Sequence, residues 1–147
     1  MHNSVRENLL AAVTHGFGYR KAERQAEATA LEMLDFFGMA DLAHAQAGSL
    51  PYGAQRRLEI VRALASGPLL LLLDEPTVGQ DREGLRTLLH ALNHLHTRTG
   101  STIVTVTHDC RCAGALCDRV AWLREGCIEK TGGPELIEAA WGDSAAL

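Results

Sequence analysis

Residues 69–77 read Leu-Leu-Leu-Leu-Leu-Asp-Glu-Pro-Thr, and this stretch decides the fold. The five leucines show no alternation of apolar and polar side chains, which predicts a β-strand buried on both faces of a parallel sheet. Asp74 and Glu75 follow the leucines directly. Acidic side chains at this point lie at the carboxyl edge of the sheet, where α/β proteins bind their ligands.

Two adjacent carboxylates at such an edge have a specific chemical use. Asp74 is suited to hold a hydrated Mg2+ ion beside a nucleotide, because Mg2+ is bound through one or two carboxylates and keeps several waters. Glu75 is suited to orient or deprotonate a water that attacks a γ-phosphate, since phosphoryl transfer depends mainly on positioning and charge stabilisation. The structural alternative is that the two acids only end a strand and begin a loop. Residues 69–77 alone leave both interpretations open.

The segments around this stretch predict an α/β fold. Downstream, Asp81 can cap a helix that ends before Gly100, and a β-branched strand follows, so that the two strands are joined by a parallel crossover. Upstream, Ser4 and Glu7 form a capping box that opens a helix. The predicted helices are 4–13, 21–37, 41–45, 54–65, 82–99, 109–117 and a last one from Pro134, and the predicted strands are 69–73, 102–107, 119–123 and 128–131, the last two forming a hairpin.

Composition limits the classes of function. The 147 residues are 46% hydrophobic with a formal net charge of -4, which is typical of one globular domain or a large piece of one, and is unfavourable for binding nucleic acid. The longest apolar run is far shorter than the roughly 20 residues needed to cross a bilayer, and the amino terminus lacks a secretory pattern. We therefore expect a cytoplasmic protein whose four cysteines are reduced thiols.

Four motifs in order resemble those of ABC transporter ATPases. Residues 50–64 are similar to the signature segment, 74–81 to the Walker B and D-loop motifs and 106–109 to the switch region. The resemblance extends over almost the whole chain. It implies a partial P-loop NTPase (RecA-like) parallel sheet, with residues 1–50 as the helical subdomain and 51–147 as the carboxyl-terminal part of the ATPase core.

The resemblance also implies roles for individual residues, with ATP and Mg2+ as the cofactors. Asp74 corresponds to the Mg2+-associated aspartate, Glu75 to the catalytic glutamate and His108 to the switch residue that senses the γ-phosphate. Asp81 corresponds to the D-loop acid at the dimer interface. Gly53, with Tyr52 and Gln55 beside it, corresponds to the signature that closes over ATP held by a second ATPase subunit, because a helix N-terminus presents free N–H groups to an anion.

The signature departs from the common Leu-Ser-Gly-Gly-Gln form. Pro51 replaces the serine, Tyr52 the first glycine and Ala54 the glutamine. This variant resembles the ATPases of branched-chain amino acid importers, whereas residues 76–81 more resemble those of energy-coupling-factor importers. The implied partner is a membrane permease, which would hold the chain on the inner face of the cell membrane, and the cargo stays open.

No Gly-x-x-x-x-Gly-Lys-Ser/Thr pattern, the P-loop, occurs in the sequence. The segment 16–21, Gly-Phe-Gly-Tyr-Arg-Lys, is predicted to be a loop between helices. Without a P-loop the β- and γ-phosphates lack their main holder. We therefore expect a carboxyl-terminal portion of an ATPase subunit that neither binds ATP tightly nor hydrolyses it alone, and whose incomplete sheet favours self-association.

Three other interpretations stay open at this point. His90 and His94, four apart on a predicted helix, could chelate a metal, although a solvated helix face is the preferred interpretation. A zinc site could form from four residues whose nitrogen or sulfur atoms can bind zinc, namely His108, Cys110, Cys112 and Cys117. The alternative function is a catalytically inactive ABC-like fragment that serves as a protein-docking or regulatory module.

Overall fold

A computed structural model describes residues 3–14 and 22–141, and it confirms the predicted α/β class. The segment 16–21, predicted to be a loop, lies outside these residues. In chain order the elements are α1 (Val5–Thr14), α2 (Ala22–Phe36), α3 (Tyr52–Ala65), β1 (Leu70–Asp74), α4 (Arg82–Thr99), β2 (Thr102–Val106), α5 (Cys110–Leu116), β3 (Val120–Arg124), β4 (Cys127–Gly132) and α6 (Glu135–Trp141).

The crossover unit is formed as predicted. β1 and β2 pair in parallel, from Leu70 opposite Thr102 to Asp74 opposite Val106, and α4 connects them. β3 and β4 form the predicted antiparallel hairpin as a separate sheet. Because β1 and β2 are parallel and in register, their carboxyl ends meet at one edge of the sheet.

Local chemistry explains where the helices begin and end. In the capping box of α1, the Ser4 amide donates to Glu7 Oε2 over 2.8 Å, and the Glu7 amide donates to Ser4 Oγ over 3.2 Å. At the start of α4, the Gly84 amide donates to Asp81 Oδ1 over 2.8 Å. Gly100 ends α4 with a φ of 67°, the left-handed conformation that glycine adopts without steric cost.

The core lies between the helices and one face of β1. A continuous buried cluster joins side chains of α1, α2, α3 and α4 with Leu71 and Leu73 of β1. The largest fully buried side chains include Phe37, Leu9, Leu34 and Leu88. One core therefore connects the amino-terminal helices to the strand that carries the two carboxylates.

The prediction that β1 is buried on both faces is wrong. Leu71 and Leu73 are buried, but Leu70 is 53% exposed and Leu72 is 69% exposed. Val104, opposite Leu72 in β2, is exposed as well. A run of leucines cannot report how many layers cover a sheet, and within residues 3–14 and 22–141 only one face of this sheet is covered.

Smaller differences concern element boundaries. α3 begins at Tyr52, two residues earlier than predicted, because Pro51 takes the extended N-cap conformation with φ −54° and ψ 147°. The short helix predicted at 41–45 is a 3-10 turn at Ala40–Leu42, and the linker contains another at Ala47–Ser49. Of the described helices, none is both long and apolar enough to span a bilayer.

Candidate functional site

Glu75 and His108 meet at the carboxyl edge of the parallel sheet. His108 Nδ1 lies 2.8 Å from Glu75 Oε1, and the His108 amide donates to the same oxygen over 3.2 Å. The Glu75 amide donates to the Val106 carbonyl over 2.8 Å, which extends the β1–β2 pairing by one residue. Parallel strand pairing thus brings together two residues that are 33 positions apart in the chain.

The backbone of Glu75 is strained. Its φ is +45°, a value that a residue with a side chain adopts only at a cost of about 1–2 kcal/mol. Strained backbone of this kind is concentrated at functional sites, where surrounding contacts hold it in place. Here the Glu75 amide donates to the Val106 carbonyl, and Thr107 Oγ1 donates to Glu75 Oε2 over 3.4 Å.

The Glu75 carboxylate raises the pKa of His108 above its ordinary value of 6.5, first through their hydrogen bond and then through their charges. Asp109 adds a smaller contribution in the same direction. The protonated imidazole is therefore stabilised in the folded chain. This contribution to stability is complete below pH 6.5, and it is lost as the pH rises through the raised pKa of the folded state.

We predict that Glu75→Gln lowers the pKa of His108 towards its ordinary value, because the neutral amide removes the charge that holds the proton. A pH titration of the His108 ring resonances by NMR measures this directly. Glu83→Gln, which neutralises an exposed carboxylate in the first turn of α4, is the control and should leave the pKa of His108 unchanged. Equal titration curves for wild type and Glu75→Gln would contradict the prediction.

Asp74 is held by its backbone while its side chain faces solvent. Its carbonyl accepts a 2.9 Å hydrogen bond from Nη2 of Arg56, and among the described residues no donor bonds its carboxylate. A free, exposed carboxylate at a sheet edge fits a hydrated Mg2+ ion, which needs one or two carboxylates and room for waters. Asp74 and Glu75 therefore have different surroundings although they are adjacent in sequence.

The predicted signature residues lie at the first turn of α3. Gly53 is the second residue of the helix, and no side chain caps the helix at Pro51. Tyr52 is 60% exposed at this end. Gln55 turns back, since its side-chain amide donates to the Leu50 carbonyl over 2.8 Å. In the described part of the chain the Tyr52 and Gly53 amides have no hydrogen-bond acceptor, so this helix end offers two free donors.

Asp81 lies apart from the Glu75–His108 pair, as the N-cap of α4. The loop that connects the two, residues 75–80, packs against α3. Its Gln80 side-chain amide donates to the Gly53 carbonyl over 2.8 Å. The structure thus forms two groups, Glu75 with His108 and the first turn of α3 with this loop.

Three contributing side chains were missed by the sequence analysis. Arg56 and Gln80 bond backbone carbonyls far away in sequence, which no spacing rule predicts. Thr107 is different, because it directly precedes His108 and its hydroxyl also accepts from the Asp109 amide over 3.0 Å. A hydroxyl beside a candidate switch residue was a signal that could have been used.

The alternative metal sites gain no support. The rings of His90 and His94 stack with their centroids 6.2 Å apart. Both rings also contact the ring of Phe36, so the two histidines form part of the contact between α2 and α4. Within residues 3–14 and 22–141, no three His, Cys, Asp or Glu side chains are grouped so as to hold a metal. Burial raises the pKa of the Cys112 thiol to about 11, so this thiol is protonated near neutral pH.

Comparisons with known proteins agree with this geometry. The sequence profile of the ABC transporter family matches residues 1–78, so the chain belongs to that family. The spermidine/putrescine import ATP-binding protein PotA of Ruegeria pomeroyi is 37% identical over 139 residues, which are 92% of this chain and 36% of PotA. The names of other relatives give transport of amino acids and import of phosphonates.

Solved structures show the same fold. The dimeric cassette MJ0796 bound to ADP and Pi superposes with a TM-score of 0.79 at 27% identity, over 89% of this chain and 56% of that one. The cbiO1 subunit of Clostridium perfringens, part of the ABC transporter complex cbiONQ, gives 0.76 at 27% identity over 95% and 54%. The chain thus spans about half the length of these structures, and a third of PotA.

Proposed function

We propose that the chain is a portion of the ATP-binding subunit of an ABC-type importer, in which ATP hydrolysis drives solute uptake through a membrane permease. The observation that supports this most is the Glu75–His108 hydrogen bond at the carboxyl edge of the parallel sheet. In this proposal residues 1–50 belong to the helical subdomain and residues 51–147 to the ATPase core. The subunit acts at the inner face of the membrane, and polyamine, amino-acid and phosphonate relatives leave the cargo open.

Each residue at the sheet edge has a chemical task in this proposal. Asp74 would hold Mg2+ through its exposed carboxylate, and the ion would supply positive charge to the triphosphate. Glu75 orients the attacking water and accepts its proton. His108 donates to Glu75 and to the γ-phosphate as the reaction proceeds, which the raised pKa of its imidazole favours.

The first turn of α3 serves a second nucleotide. The free amides of Tyr52 and Gly53, at the positive end of a 14-residue helix, bind the γ-phosphate of ATP held by a second ATPase subunit. Gln55 supports this turn through its bond to Leu50, and Asp81 fixes the start of α4 beside the dimer interface. The dimer of MJ0796 and the complex that contains cbiO1 are consistent with these partners.

We further propose that a P-loop half completes the site. The 147 residues contain no P-loop, and the outer face of the sheet exposes Leu70, Leu72 and Val104. An apolar sheet face needs a covering layer. A strand and helix that carry the P-loop supply both the layer and the phosphate cradle. Without them the chain binds MgATP weakly, and micromolar binding measured by calorimetry would refute this.

We predict that Leu72→Lys reduces self-association of the 147-residue chain, because a charge on the uncovered sheet face opposes apolar contact between copies. The matched control is Leu123→Lys on the β3–β4 hairpin, since Leu123 is 64% exposed and Leu72 is 69% exposed. Sedimentation velocity at several concentrations measures the effect. Equal behaviour of the two variants would show that the sheet face is not the associating surface.

The function is tested by reuniting the chain with a P-loop half and measuring MgATP turnover. The combined protein should hydrolyse ATP, whereas the 147-residue chain should not. The docking-module alternative predicts binding to a partner with no turnover in either case. Absence of turnover in a folded, reunited protein would favour that alternative.

A further inference from the structure

The first turn of α3 interlocks with the loop that follows the two carboxylates. A Cβ placed on Gly53 would lie 2.3 Å from the carbonyl oxygen of Gly79, and one placed on Gly79 would lie 2.4 Å from Cδ1 of Tyr52. Neither separation is tolerated between real atoms, so a side chain at Gly53 would displace the loop backbone and one at Gly79 would displace the Tyr52 ring. The hydrogen bond from Gln80 to the Gly53 carbonyl completes the interlock.

The loop 75–80 connects the contact at Gly79 to Glu75 through backbone hydrogen bonds. The Val78 amide donates to the Glu75 carbonyl over 3.2 Å, and the Gln80 amide donates to the Thr77 carbonyl over 3.2 Å. Two successive turns thus connect Gly79 to Glu75 with little backbone freedom between them. Because Glu75 is itself in a strained conformation, its position depends on what holds this loop.

We propose that Tyr52 is a positioning residue: its ring, seated over Gly79, holds the loop in the conformation that presents the Glu75 carboxylate to His108. The catalytic meaning of this rests on the proposed function, whereas the positioning itself concerns contacts within this chain. Tyr52 stands where the common signature has glycine, which has no side chain to fill this place.

The first test removes the ring. Tyr52→Ala should lower the pKa of His108, measured by NMR titration, because Glu75 is no longer held against it. Tyr52→Phe keeps the ring and should retain the wild-type titration. Since Tyr52 is largely exposed, neither variant threatens the core. If Tyr52→Ala lowers stability but leaves the His108 titration unchanged, the ring is only local packing and the proposal is wrong.

The second test uses two glycines with matched backbones. Gly79 and Gly100 have φ values of 76° and 67°, but a Cβ on Gly100 would meet no atom within 4 Å. Gly79→Ala should therefore lower the urea midpoint more than Gly100→Ala does. When Tyr52→Ala is present in the background, the two glycine substitutions should lower the midpoint equally. Equal midpoints for Gly79→Ala and Gly100→Ala would refute the interlock.

The two proposals fail separately. If the reunited protein does not hydrolyse ATP but the His108 titration responds to Tyr52→Ala and not to Tyr52→Phe, the proposed function falls and the positioning stands. If ATP is hydrolysed and the His108 titration does not respond to Tyr52→Ala, the proposed function stands and the positioning role of Tyr52 is wrong.

Discussion

Glu75→Gln should reduce ATP turnover by the reunited protein by roughly 100-fold or more, the usual contribution of a positioned general base. The amide retains the size of the side chain and can still meet His108, but it cannot accept a proton from water. Binding of MgATP should persist, because in the proposed function Asp74 and the P-loop half hold the nucleotide and neither is changed. Single-turnover kinetics together with calorimetry would separate the loss of chemistry from any loss of binding.

The matched control for this experiment is Glu83→Gln. Glu83 is an exposed residue in the first turn of α4. Its replacement by Gln removes the same charge as Glu75→Gln but changes nothing at the sheet edge. Its turnover should equal that of the wild type. If Glu75→Gln leaves turnover intact, Glu75 is not the base, and the remaining explanation for its contact with His108 is structural.

Gly53→Ala should destabilise the chain by about 2 kcal/mol, in the range for overpacking a closely packed site. The added methyl would lie 2.3 Å from the Gly79 carbonyl oxygen, which is backbone and cannot rotate away. Either α3 or the loop must then move, so the hydrogen bond from Gln80 is lost as well. Urea unfolding followed by circular dichroism measures the change in free energy.

Gly114→Ala is the matched control for Gly53→Ala, because both glycines lie within helices. A Cβ on Gly114 meets only Cδ1 of Ile137, at 4.0 Å, which is ordinary contact. Alanine there should stabilise the chain by up to about 1 kcal/mol through helix propensity. A Gly53→Ala variant that is as stable as wild type would show that the space between Gly53 and the Gly79 carbonyl accommodates a methyl group.

The two experiments examine opposite ends of one connected region. The Glu75 variant removes a chemical group and leaves the geometry, whereas the Gly53 variant disturbs the geometry and leaves every charged group. A protein in which α3 positions the carboxylate should lose turnover in both cases, but Gly53→Ala should lose much more stability, because Glu75→Gln removes only the charge that faces the exposed His108 ring. The pair therefore distinguishes chemistry from positioning.

Much of the local structure followed from the sequence. The capping box at Ser4, the cap at Asp81 and the glycine stop at Gly100 each depend on side chains within a few residues, so their outcomes were predictable. The strand order was predictable too, because a strand, helix and strand of these lengths allow one parallel crossover. Asp74 and Glu75 were found as candidates because they directly follow the leucine strand, whereas His108 was found through the resemblance to ABC transporter ATPases.

The covering of β1 was not predictable in the same way. Five consecutive leucines indicate that a strand is more stable when its side chains are buried, but whether each face is buried depends on what packs against it. The prediction of burial on both faces assumed two layers. The described residues supply one, and Leu70 and Leu72 are left exposed.

The sequence by itself determined the α/β class, the parallel pairing that brings two strand ends together, and the acids and histidine at those ends, because these depend on periodicity and on neighbouring residues. Only the tertiary structure decided which of these side chains touch, that Arg56 bonds the Asp74 carbonyl, and that Tyr52 lies over Gly79. Contacts of this kind join segments 18 to 33 residues apart, and their geometry depends on how helices pack on the sheet rather than on any local pattern.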